Sequence, residues 1–569
     1  MKEQPSFSKT ERSSNIFDAI VIGSGISGGW AAKELCDKGL KTLVLERGRD
    51  VVHLKDYPTA TKNPWDFSHR GQETNALTKG NPIVSKCYAY NETSEHFFVK
   101  DQEHPYQQEK PFDWIRGYQV GGKSLLWARQ TQRWSRYDFE GPARDGFGAW
   151  PISYNDLASW YTHVEIFAGI SGNYDKLDTL PDGSFLPAWE MNSTEKIMQS
   201  KIMQKFNNRH VVQGRCAHLT VPQPIHIEQN RQSCQARSLC ERGCPFGGYF
   251  SSNASTLPWA QKTGNLTLQT NAVVHSIIYD DTLQKATGVR VIDTVTKKTT
   301  EYFAKIIFVN AATLNTNLIL LNSTSHRFPN GLGNDSGVLG KYIAFHNYRG
   351  NLYANIDGPL DQYYYGRRPT QPMMPNFRNV HRQETDFLRG YMTFFSAGRG
   401  RVRSNGLGAN FKDESCELGG WHVSMMMQGE TIPKATNYVA LSADKKDEWG
   451  IPQLVTSVDY DENDEKLLKD FFITGSEMLE AAGCKNIITF DTKQAPGLDI
   501  HEVGGVRMGK DPNSSILNEW NQMHHCKNVF VTDGSCMVST STQNPSLTFM
   551  ALTARAVHYA VEELKKGTL

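Results

Sequence analysis

The chain has 569 residues, with 61 basic and 60 acidic side chains, a net charge of +1 and a mean hydropathy of −0.51. That balance, without a long basic run interleaved with aromatics, argues against a nucleic-acid partner, and no apolar stretch approaches the roughly 20 residues that cross a bilayer. Met1 to Asn15 is polar, with neither an apolar core nor a twin-arginine pair, so the expectation is a chain with no export signal of its own, cytoplasmic unless something else carries it out.

In chain order, Phe17 to Glu46 comes first, reading FDAIVIGSGISGGWAAKELCDKGLKTLVLE. A buried strand over Phe17–Ile22 runs into a glycine turn, then a helix with Ala31, Ala32, Leu35 and Cys36 on one face, then a second strand over Thr42–Leu45. Gly23, Gly25 and Gly28 form G-x-G-x-x-G: the first permits the tight turn, the second lets backbone approach a pyrophosphate, and the third allows helix to pack on strand. The helix start offers unpaired N–H groups to phosphate. Glu46, at the end of the second strand, is placed to accept from a ribose 2′-OH, which disfavours NADP and leaves NAD or FAD. Residues 50–110 are irregular, a long excursion. Arg116 to Trp134 then carries Gly121 and Gly122, which let backbone lie against a flat ligand, with Ser124 as donor and Trp127 as aromatic wall.

Three of the ten cysteines, Cys234, Cys240 and Cys244, fall in SCQARSLCERGCPFGG. The spacing C-x5-C-x3-C-P differs from zinc ribbons and is like the end of iron–sulfur ligand runs, and three thiolates suit a cuboidal cluster lacking one corner. Alternatives are a zinc site completed by Cys216 or His226, a disulfide with a free thiol, or inert loop cysteines. Leu266 to Ile292 reads as two alternating strands joined by a turn, followed by the strand Ile306–Val309 and a helix from Ala312 to Leu321. From about 350 to 490 the pattern becomes antiparallel (Trp421–Gln428, Tyr438–Leu441, Gln453–Asp459), with a helix near Glu465–Ala482. The last 70 residues return to compact motifs: His501-Glu-Val-Gly-Gly-Val-Arg-Met-Gly509, Asp533-Gly534, and Gln543-Asn-Pro-Ser-Leu-Thr548 leading into a final amphipathic helix.

Together these motifs resemble the glucose-methanol-choline (GMC) family of FAD oxidoreductases over nearly the whole chain, and within it the bacterial sugar dehydrogenase large subunits. The resemblance implies an α/β fold, with a Rossmann-type FAD-binding lobe interleaved with a substrate lobe on an antiparallel sheet. The FAD lobe is expected over 15–345, with the cysteine segment at 230–250, and again over 495–569, and the substrate lobe over 346–494. His501 matches the family's catalytic histidine and Asn544 its partner. Gly23, Gly25, Gly28, Glu46, Gly121, Gly122, Ser124, Trp127, Val274, Asp533 and Asn544 are the expected cofactor contacts. Leu126 stands where pyranose oxidases carry a flavin-linked histidine, so FAD is expected to be non-covalent. In the related dehydrogenases the three cysteines hold a [3Fe–4S] cluster. The usual glycine after Ile306–Val309 is replaced by Ala311 and Ala312, which puts close cofactor contact there in doubt. Such large subunits pair with a small subunit bearing the export signal, which implies a periplasmic location, and pass electrons to a cytochrome c or another acceptor.

Oxidising a sugar hydroxyl removes a proton from oxygen and a hydride from carbon. Neutral imidazole suits the proton, and the Asn544 amide can position the hydroxyl. Glu430 is expected at a sugar-contacting position, and Tyr363, Tyr364, Tyr365 and Trp421 either stack on sugar or belong to the core. The preferred substrate is a glucoside oxidised at C3. Oxidation at C1 or C2 of a free sugar or aldonate, an oxidase using oxygen, an NAD enzyme, and an electron-relay subunit without alcohol chemistry are the other readings.

Overall fold

The computed structural model describes residues 15–362, 369–402 and 404–569, so Tyr363, Tyr364 and Tyr365 lie outside the described residues, as does Met1 to Ser14. The strand Ile16–Ile22 is central in a seven-stranded sheet, parallel to Thr42–Leu45 on one side and Thr299–Val309 on the other. Leu266–Gln269 extends the first side in parallel, while Lys285–Asp293 and Ala272–Asp280 extend the second as an antiparallel hairpin. Val529–Val531 pairs with the end of Thr299–Val309. Helices Ile26–Asp37 and Ser546–Lys566 cover one face, burying Ala19, Val21 and Val44, while Ile20, Ile22, Leu43 and Leu45 enter a second core on the other face, which explains why the parallel strands are apolar at successive positions and not alternately.

The reading of Leu266 to Ile292 as one alternating pair is corrected here. Leu266–Gln269 sits at one edge of the sheet and Ala272–Asp280 at the other. Asn271, with φ +56°, turns the chain sharply between them.

A second, antiparallel sheet runs Cys484–Asp491, Gly350–Ile356, Leu418–Glu430, Tyr391–Arg401, Pro372–Met374, Val212–Gln213. His346–Asn347 joins it beside Gly429 and Glu430. The helix Glu462–Ala482 covers one face, burying Leu467, Phe471 and Met478 with Leu352 and Met425. Its ends follow from sequence: the Asp461 carboxylate accepts from the N–H groups of Asn463 and Asp464, and Gly483, at φ +86°, closes the last turn.

The lobe boundaries also need correction in two places. Helix Ser193–Lys205, expected in the first lobe, contributes Met198 and Ile202 to the core of the second sheet, as does Val211 just ahead of the strand Val212–Gln213 that joins that sheet's edge. Conversely, the hairpin Tyr438–Lys446 and Pro452–Ser457 packs Val439 and Leu454 with Val273 and Leu314 of the first lobe. Neither exchange leaves a local signature, because each depends on which distant apolar face a short element meets.

Candidate active site

One cavity of about 1050 Å³ runs between the lobes, at the upper end of the range for small-molecule sites. Its floor is the first glycine turn. A Cβ on Gly28 would stand 1.9 Å from the Gly23 carbonyl oxygen, which is the close helix–strand packing that only glycine allows. A Cβ on Gly25 would meet nothing within 4 Å, so this peptide is open to an approaching group, and the following helix has no side-chain cap over its N–H groups. The second glycine segment lies against the first: a Cβ on Gly122 would sit 3.7 Å from the Gly25 Cα, and the Gly121 N–H donates to Ser24 Oγ at 3.0 Å.

Glu46 lines the cavity, accepting from Ser24 Oγ at 2.5 Å and from the Gly48 N–H at 3.0 Å, while burial pushes its carboxyl upward. Ser124 Oγ accepts from the Ser252 N–H at 3.1 Å, and the Trp127 indole donates to the Phe250 carbonyl at 3.0 Å, so both side chains are fixed from behind. Val274 lines the same wall. Asp533 also borders the cavity, but its carboxylate is taken up by Ser535 and by Thr316 Oγ at 2.5 Å, bracing the start of helix Thr313–Asn322. Ala311 and Ala312 both line the cavity despite the missing glycine. Ala312 keeps a glycine-like backbone, φ +68° and ψ 155°, a strained conformation for a residue with a Cβ.

His501 and Asn544, 43 residues apart, meet at the far wall, with Asn544 Nδ2 3.4 Å from His501 Nε2. Burial holds the His501 imidazole well below the usual histidine range, so it is neutral. Two partners escaped the sequence reading. His346 Nδ1 lies 2.9 Å from His501 Nδ1, and Asp499 Oδ2 accepts from the backbone N–H of both His346, at 2.9 Å, and His501, at 3.2 Å. Among the described residues His346, Asp499 and His501 are the one group of three whose ligand atoms gather within 4.8 Å, and hydrogen bonds link all three. The only sequence signal was a histidine at a strand end, which is no motif.

Glu430 corrects an expectation. It is fully buried, paired with Arg389 at 2.9 Å, and is not among the cavity-lining residues; burial pushes its carboxyl up to about 7. Trp421 is 2 % exposed and borders the cavity, its indole donating to the Pro359 carbonyl.

Cys240 lines the same cavity as His501. Around it the loop is wound tightly, with Ala236 and Ser238 at φ +50° and +60° and Gly243 and Gly247 also left-handed. His226 spends both ring nitrogens on the Gln223 N–H and the Ile166 carbonyl, and the Cys216 thiol is engaged by Ser171, so neither completes a zinc site. His218 comes nearer, its Nε2 3.9 Å from Cys240 Sγ. Cys234, Cys240 and Cys244 are all half-buried free thiols. Arg129 Nε and Nη1 and Arg231 Nη2 are buried beside this loop without hydrogen-bond partners.

A glycine-floored cavity flanked by an acid, a second glycine segment, and a histidine–asparagine pair ahead of the last helix is matched in sequence by the N-terminal GMC oxidoreductase pattern over residues 17–346 and the C-terminal one over 433–553. The chain belongs to the GMC oxidoreductases. It is therefore an FAD-dependent enzyme acting on CH–OH groups. This GMC oxidoreductase is 28% identical to a 2-methyl-1,2-propanediol dehydrogenase of Mycolicibacterium austroafricanum, over 95% of this chain and 94% of that one. It is 26% identical to the fructose dehydrogenase large subunit of Gluconobacter japonicus, over 97% and 98%. With the gluconate 2-dehydrogenase flavoprotein of Pantoea cypripedii it shares 24%, over 94% and 92%. A formate oxidase from Aspergillus oryzae shares the fold, at a TM-score of 0.62 and 12% identity, covering 97% of this chain and 99% of that one. None of the described helices is long and apolar enough to cross a membrane.

Proposed function

We propose that this enzyme is a sugar dehydrogenase that oxidises a secondary hydroxyl of a glucoside, at C3, to a 3-keto-glucoside. The carrying observation is the convergence of His501 and Asn544 on one wall of the glycine-floored cavity. The residues of the glycine turn, Glu46 and the Gly121–Trp127 segment would hold FAD, which when bound supplies the two-electron acceptor. His501 Nε2 takes the hydroxyl proton, and the Asn544 amide holds the same oxygen. Tyr348, Asn351 and Ser396 line the cavity on the second-lobe side; the Tyr348 hydroxyl, which donates to Gln428, can still accept from a polyol, and Asn351 adds an amide. The names of the relatives, a diol, a fructose and a gluconate dehydrogenase, support polyol chemistry in general.

Cys234, Cys240 and Cys244 would hold an iron–sulfur cluster of the [3Fe–4S] kind, through which electrons leave singly. What supports this is the C-x5-C-x3-C-P spacing and the N–H groups of Arg129 and Arg231 left without hydrogen-bond partners beside the loop, which suit a buried negative charge. The proposal includes a small subunit that carries the pair to the periplasm and a cytochrome c or similar acceptor, in keeping with a relative named as a large subunit.

The test is anaerobic mixing with methyl α-D-glucoside and with glucose while the flavin band is followed, with NMR of the product. Bleaching by the glucoside with a carbonyl at C3 is expected. Bleaching by glucose alone, with a carbonyl at C1 or C2, moves the enzyme to free-sugar oxidation, and failure with every sugar leaves an electron relay. Steady oxygen uptake with peroxide release would mark an oxidase.

A further inference from the structure

Two imidazoles in contact raise the question of which nitrogens carry hydrogen, and the surrounding acceptors answer it. His346 Nε2 lies 2.8 Å from the Ser541 carbonyl oxygen. A carbonyl can only accept, so that nitrogen carries the hydrogen, and a neutral ring then has a bare lone pair on Nδ1. The His501 Nδ1 at 2.9 Å must therefore be the donor, which leaves His501 Nε2 without hydrogen. Asn544 Nδ2, a donor 3.4 Å from that Nε2, fits the same assignment.

We infer that His346 is a positioning residue that locks His501 in the Nδ1–H tautomer, so that its Nε2 lone pair is already aimed at the reacting hydroxyl. The inference rests on the proposed role of His501 as base. When the substrate O–H bond breaks, its proton forms the new N–H bond at His501 Nε2, and the C–H electron pair goes with hydrogen to FAD. The imidazolium so formed still donates through Nδ1 to His346, which spreads the new charge without a second proton transfer.

The backbone is built to hold this chain of contacts. Asp499 Oδ2 staples the N–H groups of two residues 155 positions apart. Ile500 has φ +66°, a conformation a β-branched residue almost never adopts, and Ser541, whose carbonyl anchors the chain, has φ +56°. Strain on both sides of a catalytic imidazole persists only where neighbours over-determine it. Burial keeps both rings neutral, with His346 pulled down to about 4.

Neutron diffraction of the deuterium-exchanged holoenzyme reads the assignment directly. Deuterons on His346 Nε2 and His501 Nδ1, with none on His501 Nε2, are expected, and a deuteron on His501 Nε2 overturns the inference. The functional arm compares His346→Gln, whose amide can accept from His501 and donate to Ser541 at once, with His346→Leu, which can do neither. With methyl α-D-glucoside as reductant, the glutamine enzyme should reduce its flavin within about threefold of wild type, and the leucine enzyme about 10–100-fold more slowly, both with the wild-type flavin spectrum. Equal losses in both variants, or none in either, would refute the relay. A wild-type enzyme that the glucoside fails to bleach would sink the substrate reading while the deuteron map still decides this one.

Discussion

The two ends of the cavity handle charge in opposite ways. At the histidine end, two imidazoles are held neutral by burial, and each uses its ring nitrogens on a neighbour within the protein. At the cysteine end, two buried guanidinium groups keep N–H donors without partners, and burial pulls Arg231 down to about 9 while pushing the Cys234 thiol up to about 11. The first end is finished by contacts within the protein, the Ser541 backbone carbonyl among them, and of the side-chain polar atoms of His346, His501 and Asn544 leaves only Asn544 Oδ1 without a partner. The second pairs Arg129 with Glu241 at 3.6 Å yet keeps further N–H donors unmet, which a negatively charged thiolate cluster would relieve.

The largest effect should come from breaking the finished end. His501→Ala is expected to slow flavin reduction by about 10²–10⁴-fold while FAD stays bound, as judged by anaerobic stopped flow and the flavin spectrum. Because the imidazole is neutral well below the usual histidine range, wild-type flavin reduction should stay flat as pH falls through 6.5, and a rate that halves there would show the base to be solvent-coupled. At the other end, Cys240→Ser should empty the proposed cluster: iron content per chain falls to near zero and turnover with a one-electron acceptor falls at least tenfold, whereas sugar still bleaches the flavin at the wild-type rate. If iron is absent from wild type as well, the contrast between the ends has another cause.

Between the ends lies the cofactor floor, where smaller effects sharpen the picture. Glu46→Gln, changing the acceptor at the proposed ribose position, should weaken FAD binding about tenfold by fluorescence titration. Ala312→Gly should relieve the strained backbone and raise stability by about 1 kcal/mol, seen as a rise of a few degrees at most in melting temperature.

The floor was legible in the sequence because glycine reports backbone directly: Gly23, Gly25 and Gly28 announce a turn whatever folds around them, and the GMC motifs at His501 and Asn544 carried the far wall. What escaped is long-range. His346 sits at a strand end with no flanking motif, and its role exists only because Asp499 and Ser541 arrive from 153 and 195 residues away. Glu430 looked like a free carboxylate because nothing local reveals that Arg389, 41 residues earlier, would bury it. Ala312 shows the reverse case, a position whose residue type pointed away from the glycine conformation that its neighbours impose.

The strand Val529–Val531 and the helix Ser546–Lys566 close a sheet that begins at Ile16, so the first fold element and the last are structural neighbours. A change that loosens the helix Ser546–Lys566 is therefore felt both at the Gly25 turn, through the Ile26–Asp37 helix it packs on, and at Asn544, two residues before its start.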